Sequence, residues 1–266
     1  MMDDRPAPGR QDLEAAALAR LYDVDLLDDP GDLDLYLALA ARAGDPILEL
    51  AVGTGRLAVP LAVAGHAVTG VDLDAAMLGR ARLRAAEASV GGRLTLVEGD
   101  MASCRLEQAG SYRLAFIALN SIMLLRDRRA QAAAVRTLAE HLAPGGIAVV
   151  DTWLPGAADL ARFDGRMGLE YVRRDPDTGW VVTKLASAGL DSPAQAIDLV
   201  TIFEEGPPGE PAGRWIRQDR LRMVSVDELT DLAEAAGLVV EEVAGDYGLT
   251  PIGPESERAI LIARRP

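Results

Sequence analysis

The stretch Ile47-Leu48-Glu49-Leu50-Ala51-Val52-Gly53-Thr54-Gly55-Arg56 constrains this chain more than any other. Its apolar start reads as a buried strand and its two glycines as a tight turn, and the apolar segment Leu57 to Ala64 that follows has helical length. Strand, glycine turn and helix form the layout of a nucleotide-type binding site. Residues without side chains let a ligand approach the backbone, and free N–H groups at a helix start favour electronegative atoms. A glycine turn alone is a weak signal. Two later acidic residues, Asp72 and Asp100, each placed after an apolar run, give it weight.

The chain around this stretch alternates. Residues 1–10 are polar and proline-containing and read as frayed. Leu13, Ala17, Leu18 and Leu21 predict a helix from Gln11 to Tyr22, and a second, Asp32 to Arg42, follows the Asp28-Asp29-Pro30-Gly31 turn. The helix after the glycine turn is expected over Arg56 to Ala64, where Pro60 removes at most one backbone bond near the first turn. Strand 2, Ala67 to Val71, closes on Asp72, and Asp74 caps a helix carrying Met77, Leu78, Ala81 and Ala85. Strand 3, Leu94 to Val97, leads to Asp100-Met101, and strand 4, Leu114 to Leu119, leads to Asn120-Ser121. A helix from Asp127 to Leu142 is expected to stop at Pro144-Gly145-Gly146, before strand 5, Ile147 to Val150, and Asp151. Apolar strands alternating with helices imply a parallel sheet covered on both faces, with a ligand beyond the carboxyl ends of the strands. Glu49 to Gly55, Asp72, Asp100, Asn120 and Asp151 all fall on that rim.

After Trp153 the pattern changes. Strand-like pieces at Leu169 to Arg173, Trp180 to Ala186, Ile197 to Phe203 and Trp215 to Met223 are separated by turns and no helices, so they should pair antiparallel. Ser225 caps a helix, Val226 to Ala236, and strands Leu238 to Val243 and Ala259 to Ala263 close the fold, the last antiparallel for want of a crossover. If Leu238 to Val243 runs parallel to the main sheet, Gly245-Asp246-Tyr247 also reaches the ligand rim.

Charge and composition narrow the function. With 27 Lys and Arg against 41 Asp and Glu, the net charge of −14 repels phosphate backbones and anionic membranes, so neither nucleic acid nor a membrane is an expected partner. A single cysteine, Cys104, fits a reducing cytoplasm, and the two histidines, His66 and His141, read as surface or helix-end residues. No metal site is expected. The start of the chain has no apolar signal-peptide core, and no apolar run reaches spanning length.

These motifs resemble the class I S-adenosylmethionine-dependent methyltransferases, in the small-molecule group. The resemblance rests on Glu49 to Arg56, on Val71-Asp72-Leu73-Asp74 with Met77-Leu78, on Gly99-Asp100-Met101 and on Leu142-Ala143-Pro144-Gly145-Gly146. It implies a Rossmann-like α/β fold: a seven-stranded, mostly parallel sheet with an antiparallel last strand, N-terminal helices and an inserted antiparallel β segment. The corresponding division is residues 1–44 as a helical lid, 45–153 as the cofactor core, 154–224 as the acceptor-side insertion and 225–266 completing the sheet. S-adenosylmethionine is the implied cofactor. By the same resemblance Gly53 and Gly55 cradle its methionine part with Glu49 near the amino group. Asp72 takes the ribose, Asp100 the adenine amino group, Leu73 and Met101 flank the ring, and Ala51, Arg56 and Met77 are further cofactor-binding candidates. Ala51 departs from a third glycine found in many members.

Asn120 is implied beside the transferring methyl, Tyr22 as a lid aromatic, and Asp151 as a pocket carboxylate, so these three are the catalytic candidates. Trp153, Arg217, Asp246 and Tyr247 are substrate-side candidates. The partner is a small-molecule methyl acceptor, with nitrogen or oxygen as the nucleophile; a homodimer is compatible with the sequence. A sulfonium cofactor is already activated, so transfer needs chiefly alignment and exclusion of water, and this residue set can supply both. Two other readings are a nicotinamide-dependent oxidoreductase and a non-catalytic module that binds S-adenosylmethionine. The first draws on Gly53-Thr54-Gly55-Arg56-Leu57-Ala58 with Asp72 seventeen positions after Gly55 (72 − 55 = 17). Against it stand the two helices before strand 1, Glu49, Asp100 and the antiparallel last strand.

Overall fold

The computed structural model describes residues 9–266, so the expected fraying of residues 1–8 lies outside it. Two helices, α1 (Arg10–Asp25) and α2 (Leu33–Ala43), precede β1 (Ile47–Leu50). Then follow α3 (Ala58–Val63), β2 (Val68–Asp72), α4 (Ala75–Glu87), β3 (Leu94–Glu98), β4 (Tyr112–Ile117), a 3-10 turn (Ser121–Leu124), α5 (Arg128–His141) and β5 (Leu142–Trp153). After the short α6 (Ala157–Arg162) come β6 (Asp164–Arg174), β7 (Val181–Asp191), β8 (Ala196–Gly206) and β9 (Gly213–Arg222). The chain ends with α7 (Val226–Ala235), β10 (Val239–Ala244) and β11 (Arg258–Arg264).

Seven strands form one sheet in the order β10-β11-β5-β4-β1-β2-β3, and β6 to β9 form a second, antiparallel sheet in sequence order. β11 pairs antiparallel with both β5 and β10, so β10 runs with the other strands and its end reaches the same rim as theirs. β1 is buried along its whole length, as a central parallel strand flanked by β2 and β4 must be. One face of the sheet packs on α2 and α3, where Tyr36 and Phe116 lie 4.5 Å apart, and the other packs on α5 and α7.

One local reading is corrected. The helix α5 ends at His141, and Pro144-Gly145-Gly146 lies inside β5. Tyr112 faces Leu142 and Leu114 faces Ile147, so residues 143–146 bulge out, with Gly145 at φ +75°. Three orphan carbonyls there find donors: Arg265 N–H reaches Gly146, while the Arg264 and Arg265 guanidinium groups reach Gly145 and Leu142. His141 does sit at a helix end, but fully buried; its Nδ1 donates to the Thr137 carbonyl and its Nε2 accepts from the Leu106 N–H. That pairing requires the neutral imidazole and makes His141 a packing residue.

The helix α1 lies between the two sheets. On the core side Asp23 accepts from Thr54 Oγ1 at 2.6 Å and from Arg80 Nε at 2.6 Å, and it pairs with Arg84 at 2.9 Å. On the other side Arg20 bridges Asp175 and Glu205, whose side chains are 1% and 2% exposed, while Arg173 donates to the Val24 and Asp25 carbonyls. Leu21, Val24, Val182 and Phe203 form the apolar seam beneath. Removing the single cation from two buried carboxylates leaves both uncompensated. Arg20→Met should therefore lower unfolding free energy by about 3 kcal/mol in urea titration, whereas the exposed-side Arg166→Met should stay within about 0.5 kcal/mol.

Candidate active site

Three left-handed residues make the turn after β1: Ala51 at φ +61°, Gly53 at +55° and Gly55 at +78°. At Gly55 a side chain would also sit 3.1 Å from Val59 and 3.3 Å from Ala81, so the close approach of α3 to α4 depends on glycine there. Ala51 takes up without glycine the left-handed conformation that glycine adopts most readily. The turn is tied to the next strand: the Gly53 N–H donates to Asp72 Oδ2 at 2.8 Å, and Oδ1 accepts from the Asp74 N–H at 2.9 Å. Asp74 itself caps α4 through the Ala76 and Met77 N–H groups. Burial holds the Asp72 carboxyl above its ordinary range, the Asp74 and Gly53 N–H groups pulling it back.

Glu49, at the middle of β1, is buried, and its Oε2 has no hydrogen-bond partner. Desolvation pushes its carboxyl well above the usual 4.5, with Arg56 opposing and Asp32 and Asp72 reinforcing the shift. A buried acceptor aimed at the turn, with open glycine backbone around it, fits the ammonium-bearing end of an amino-acid-type cofactor such as S-adenosylmethionine. Arg56 is a different matter. Its guanidinium is bidentate to the fully buried Asp32 at 2.6 and 2.6 Å, which fastens α2 to the turn and leaves Arg56 a supporting group instead of a direct contact. Farther along the rim Leu73 is 70% exposed, Met77 and Met101 are partly buried, and Asp100 is exposed with Oδ1 accepting from the Ala102 N–H.

Tyr22 joins this turn to a second space. Its ring lies 3.9 Å from where a Cβ of Gly53 would stand. Burial raises its phenol pKa, with Arg56 and Arg217 pulling the other way. Beside it, a cavity of about 280 Å³ opens between α1, the 3-10 turn and the inner face of the four-stranded sheet; Tyr22, Asn120, Ser121, Lys184, Arg217 and Asp219 supply most of its polar wall. Asn120, at φ +67°, accepts on Oδ1 from Arg258 Nη2 at 3.1 Å, which leaves its amide N–H group free to donate.

The remaining candidates fall elsewhere. Asp151 is fully buried, and its oxygens accept from Arg258, the Tyr247 hydroxyl at 2.9 Å and the Leu119 N–H at 3.0 Å. It anchors the loop after β4 and is no free base. Tyr247 thus braces that anchor from below. Trp153 packs edge-on against Phe163 at 5.8 Å and does not line the Tyr22 cavity. Asp246 is exposed and accepts from the Gly248 and Thr250 N–H groups, which shape its own turn and hold its carboxyl low. Of the substrate-side candidates, only Arg217 lines the cavity with Tyr22 and Asn120. Asp32, Arg258, Lys184 and Asp219 were not singled out from the sequence; only the alternation of Trp215, Arg217, Asp219 and Leu221 along β9 hinted that Asp219 shares the face of Arg217.

Two expectations follow from this geometry. Burial in the apo protein disfavours the ionised Glu49 carboxyl, so its contribution to stability falls as pH rises from about 4.5 toward the raised native value, while a cationic ligand favours the carboxylate. Binding of S-adenosylhomocysteine should strengthen with pH over that window and release a proton, seen as a buffer-dependent calorimetric enthalpy that Glu49→Gln abolishes. Asp72→Ala should weaken that binding by about 1–3 kcal/mol by the same method, the scale of losing hydrogen bonds to a charged group.

Residues 47–146 match the family described as methyltransferase domain. Among curated relatives, a dTDP-3-amino-3,4,6-trideoxy-alpha-D-glucopyranose N,N-dimethyltransferase of Streptomyces venezuelae is 28% identical over 75% of this chain and 77% of its own. A cypemycin N-terminal methyltransferase of a Streptomyces species is 26% identical over 84% of each chain. Among solved structures, the CcbJ methyltransferase from Streptomyces caelestis superposes with a TM-score of 0.76 at 29% identity, covering 91% of this chain and 95% of that one. Residues 47–146 thus form a methyltransferase domain, and in its sheet order and glycine turn the chain as a whole is similar to the class I S-adenosylmethionine-dependent methyltransferases.

Proposed function

We propose that this enzyme methylates an amine nitrogen of a small polar molecule held in the cavity between α1 and the four-stranded sheet. The observation that carries the reading is Tyr22, whose ring faces the glycine turn at the space a Gly53 side chain would take and walls the cavity on the other side. The relatives that are named for N-methylation of an amino sugar and of a peptide N-terminus support nitrogen as the nucleophile. Residues 154–224 then form the acceptor side and the N-terminal helices the lid. The net charge of −14 supports an acceptor other than nucleic acid, and the single cysteine supports a cytoplasmic setting. No helix among the described residues is long and apolar enough to cross a membrane. Exposed Met167, Leu169 and Val172 on edge strand β6 support a homodimer.

The cofactor supplies a methyl group already activated on sulfur, so the protein's work is placement. Gly53, Gly55 and Ala51 leave backbone open for its methionine part, Glu49 takes the ammonium, Asp72 the ribose, and Asp100 with Leu73, Met77 and Met101 the adenine. Tyr22 closes over the turn and keeps water out. Asn120, its carbonyl held by Arg258, directs an amide N–H toward the acceptor. A neutral amine attacks without a general base and loses its proton to solvent after transfer.

The reading is tested by incubating the protein with S-adenosylmethionine and matched pairs of amino sugars and their hydroxyl analogues, followed by mass spectrometry. One added methyl group on the amines only is the expected result. Methylation of the hydroxyl analogues alone would overturn nitrogen as the nucleophile.

A further inference from the structure

Two ion pairs line the cavity, and they differ in what they hold together. Lys184 Nζ lies 2.7 and 2.9 Å from the two oxygens of Asp25 and ties β7 to α1. Arg217 bonds Asp219 at 2.7 and 3.1 Å, two positions along the same strand, and so connects no two elements. On the outer face of β9 the arginines find their acids across the ladder: Arg214 meets Glu204 and Arg220 meets Asp198, each its register partner on β8. On the inner face Arg217 stands opposite Thr201 and Asp219 opposite Leu199. The inner pair therefore has no scaffold role, yet both charges are largely withdrawn from water, with side chains 30% and 17% exposed. Leucines 119, 124, 199 and 221 line the same cavity. Withdrawing charges costs solvation, and a same-strand pair returns little of it.

We infer that Asp219 is the group that recognises the acceptor's amine, with Arg217 as its resident counter-ion, and that the acceptor carries no phosphate. This rests on the amine reading above. An amine entering beside Asn120 as its ammonium form can take the place of the guanidinium on Asp219, exchanging one ion-paired N–H···O contact for another, and it gives up a proton to solvent before the neutral nitrogen attacks. The cavity's charges otherwise balance, Asp25 and Asp219 against Lys184 and Arg217, and each of those cations is bonded to a carboxylate. A diphosphate would have to displace both aspartates and would meet them as like charges, in a chain of net charge −14.

Calorimetry on protein saturated with S-adenosylhomocysteine tests this with three probes: a methyl glycoside of a 3-amino sugar, its 3-hydroxy analogue, and the same amino sugar linked to thymidine diphosphate. The amino glycoside should bind at least about tenfold tighter than either of the others, the size of one lost charge-assisted contact. Asp219→Asn should remove that advantage while keeping S-adenosylhomocysteine affinity, Asp219→Glu should restore part of it, and release of Arg217 in Asp219→Asn should improve binding of the diphosphate-linked probe. Equal or tighter binding of the diphosphate-linked probe to the wild-type protein would overturn the inference and leave N-methylation standing. So would an unchanged amine affinity in Asp219→Asn, or no binding of any probe. Tighter binding of the hydroxyl analogue than of the amine would instead defeat the amine reading itself.

Discussion

The hydrogen bond from the Gly53 N–H to the Asp72 carboxylate fixes the geometry on which the rest of the site depends. It joins the turn after β1 to the end of β2, two neighbouring parallel strands, and so sets how far the turn can open. The turn can meet Asp72 only because Ala51, Gly53 and Gly55 are all left-handed. In the adjoining strand Gly70 leaves space that Val52 fills, since a Cβ there would lie 2.6 Å from Val52 Cγ2. Small residues on two strands thus admit the turn, and one carboxylate locks it.

Around that lock, buried charge is arranged in two tiers. Arg56 and Asp32 neutralise each other and hold α2 in place, so that Glu49 keeps an oxygen without a protein partner. Arg258 and Asp151 do the same work on the far side of the rim, fixing the loop that carries Asn120. In each case a supporting pair absorbs the structural demand, and a neighbouring polar group stays available. This division explains why Arg56 and Asp151, both on the rim in sequence order, are not themselves the groups left open.

The fold, and the turn and acids to which the cofactor half is assigned, were readable because their signals are local. Apolar runs of strand length, the Gly53 and Gly55 turn, the Asp74 cap and the acids closing β2 and β3 each depend on residues within a few positions of one another. The bulge at residues 143–146 escaped that reading because Pro-Gly-Gly equally terminates a helix or kinks a strand, and distant Arg264 and Arg265 decide the matter. The acceptor half was poorly readable for the same reason on a larger scale. Arg258 reaches Asp151 across 107 positions and Arg20 reaches Glu205 across 185, and no periodicity records such meetings. Trp153 and Asp246 looked like rim residues by position along their strands, but side-chain packing and a local turn claim them.

The anchoring of α1 carries a consequence for the order in which ligands come and go. The helix is bonded through Asp23 to the glycine turn and α4, and through Arg20, Asp25 and backbone carbonyls to the four-stranded sheet. It cannot lift from the turn without either dragging that sheet along or breaking the buried Arg20 contacts. Tyr22 rides on it and forms part of both compartments. On the lid role proposed for α1, exchange of spent cofactor is mechanically linked to exposure of the acceptor space, and a double methylation of one amine would require the product to survive an opening between its two turnovers.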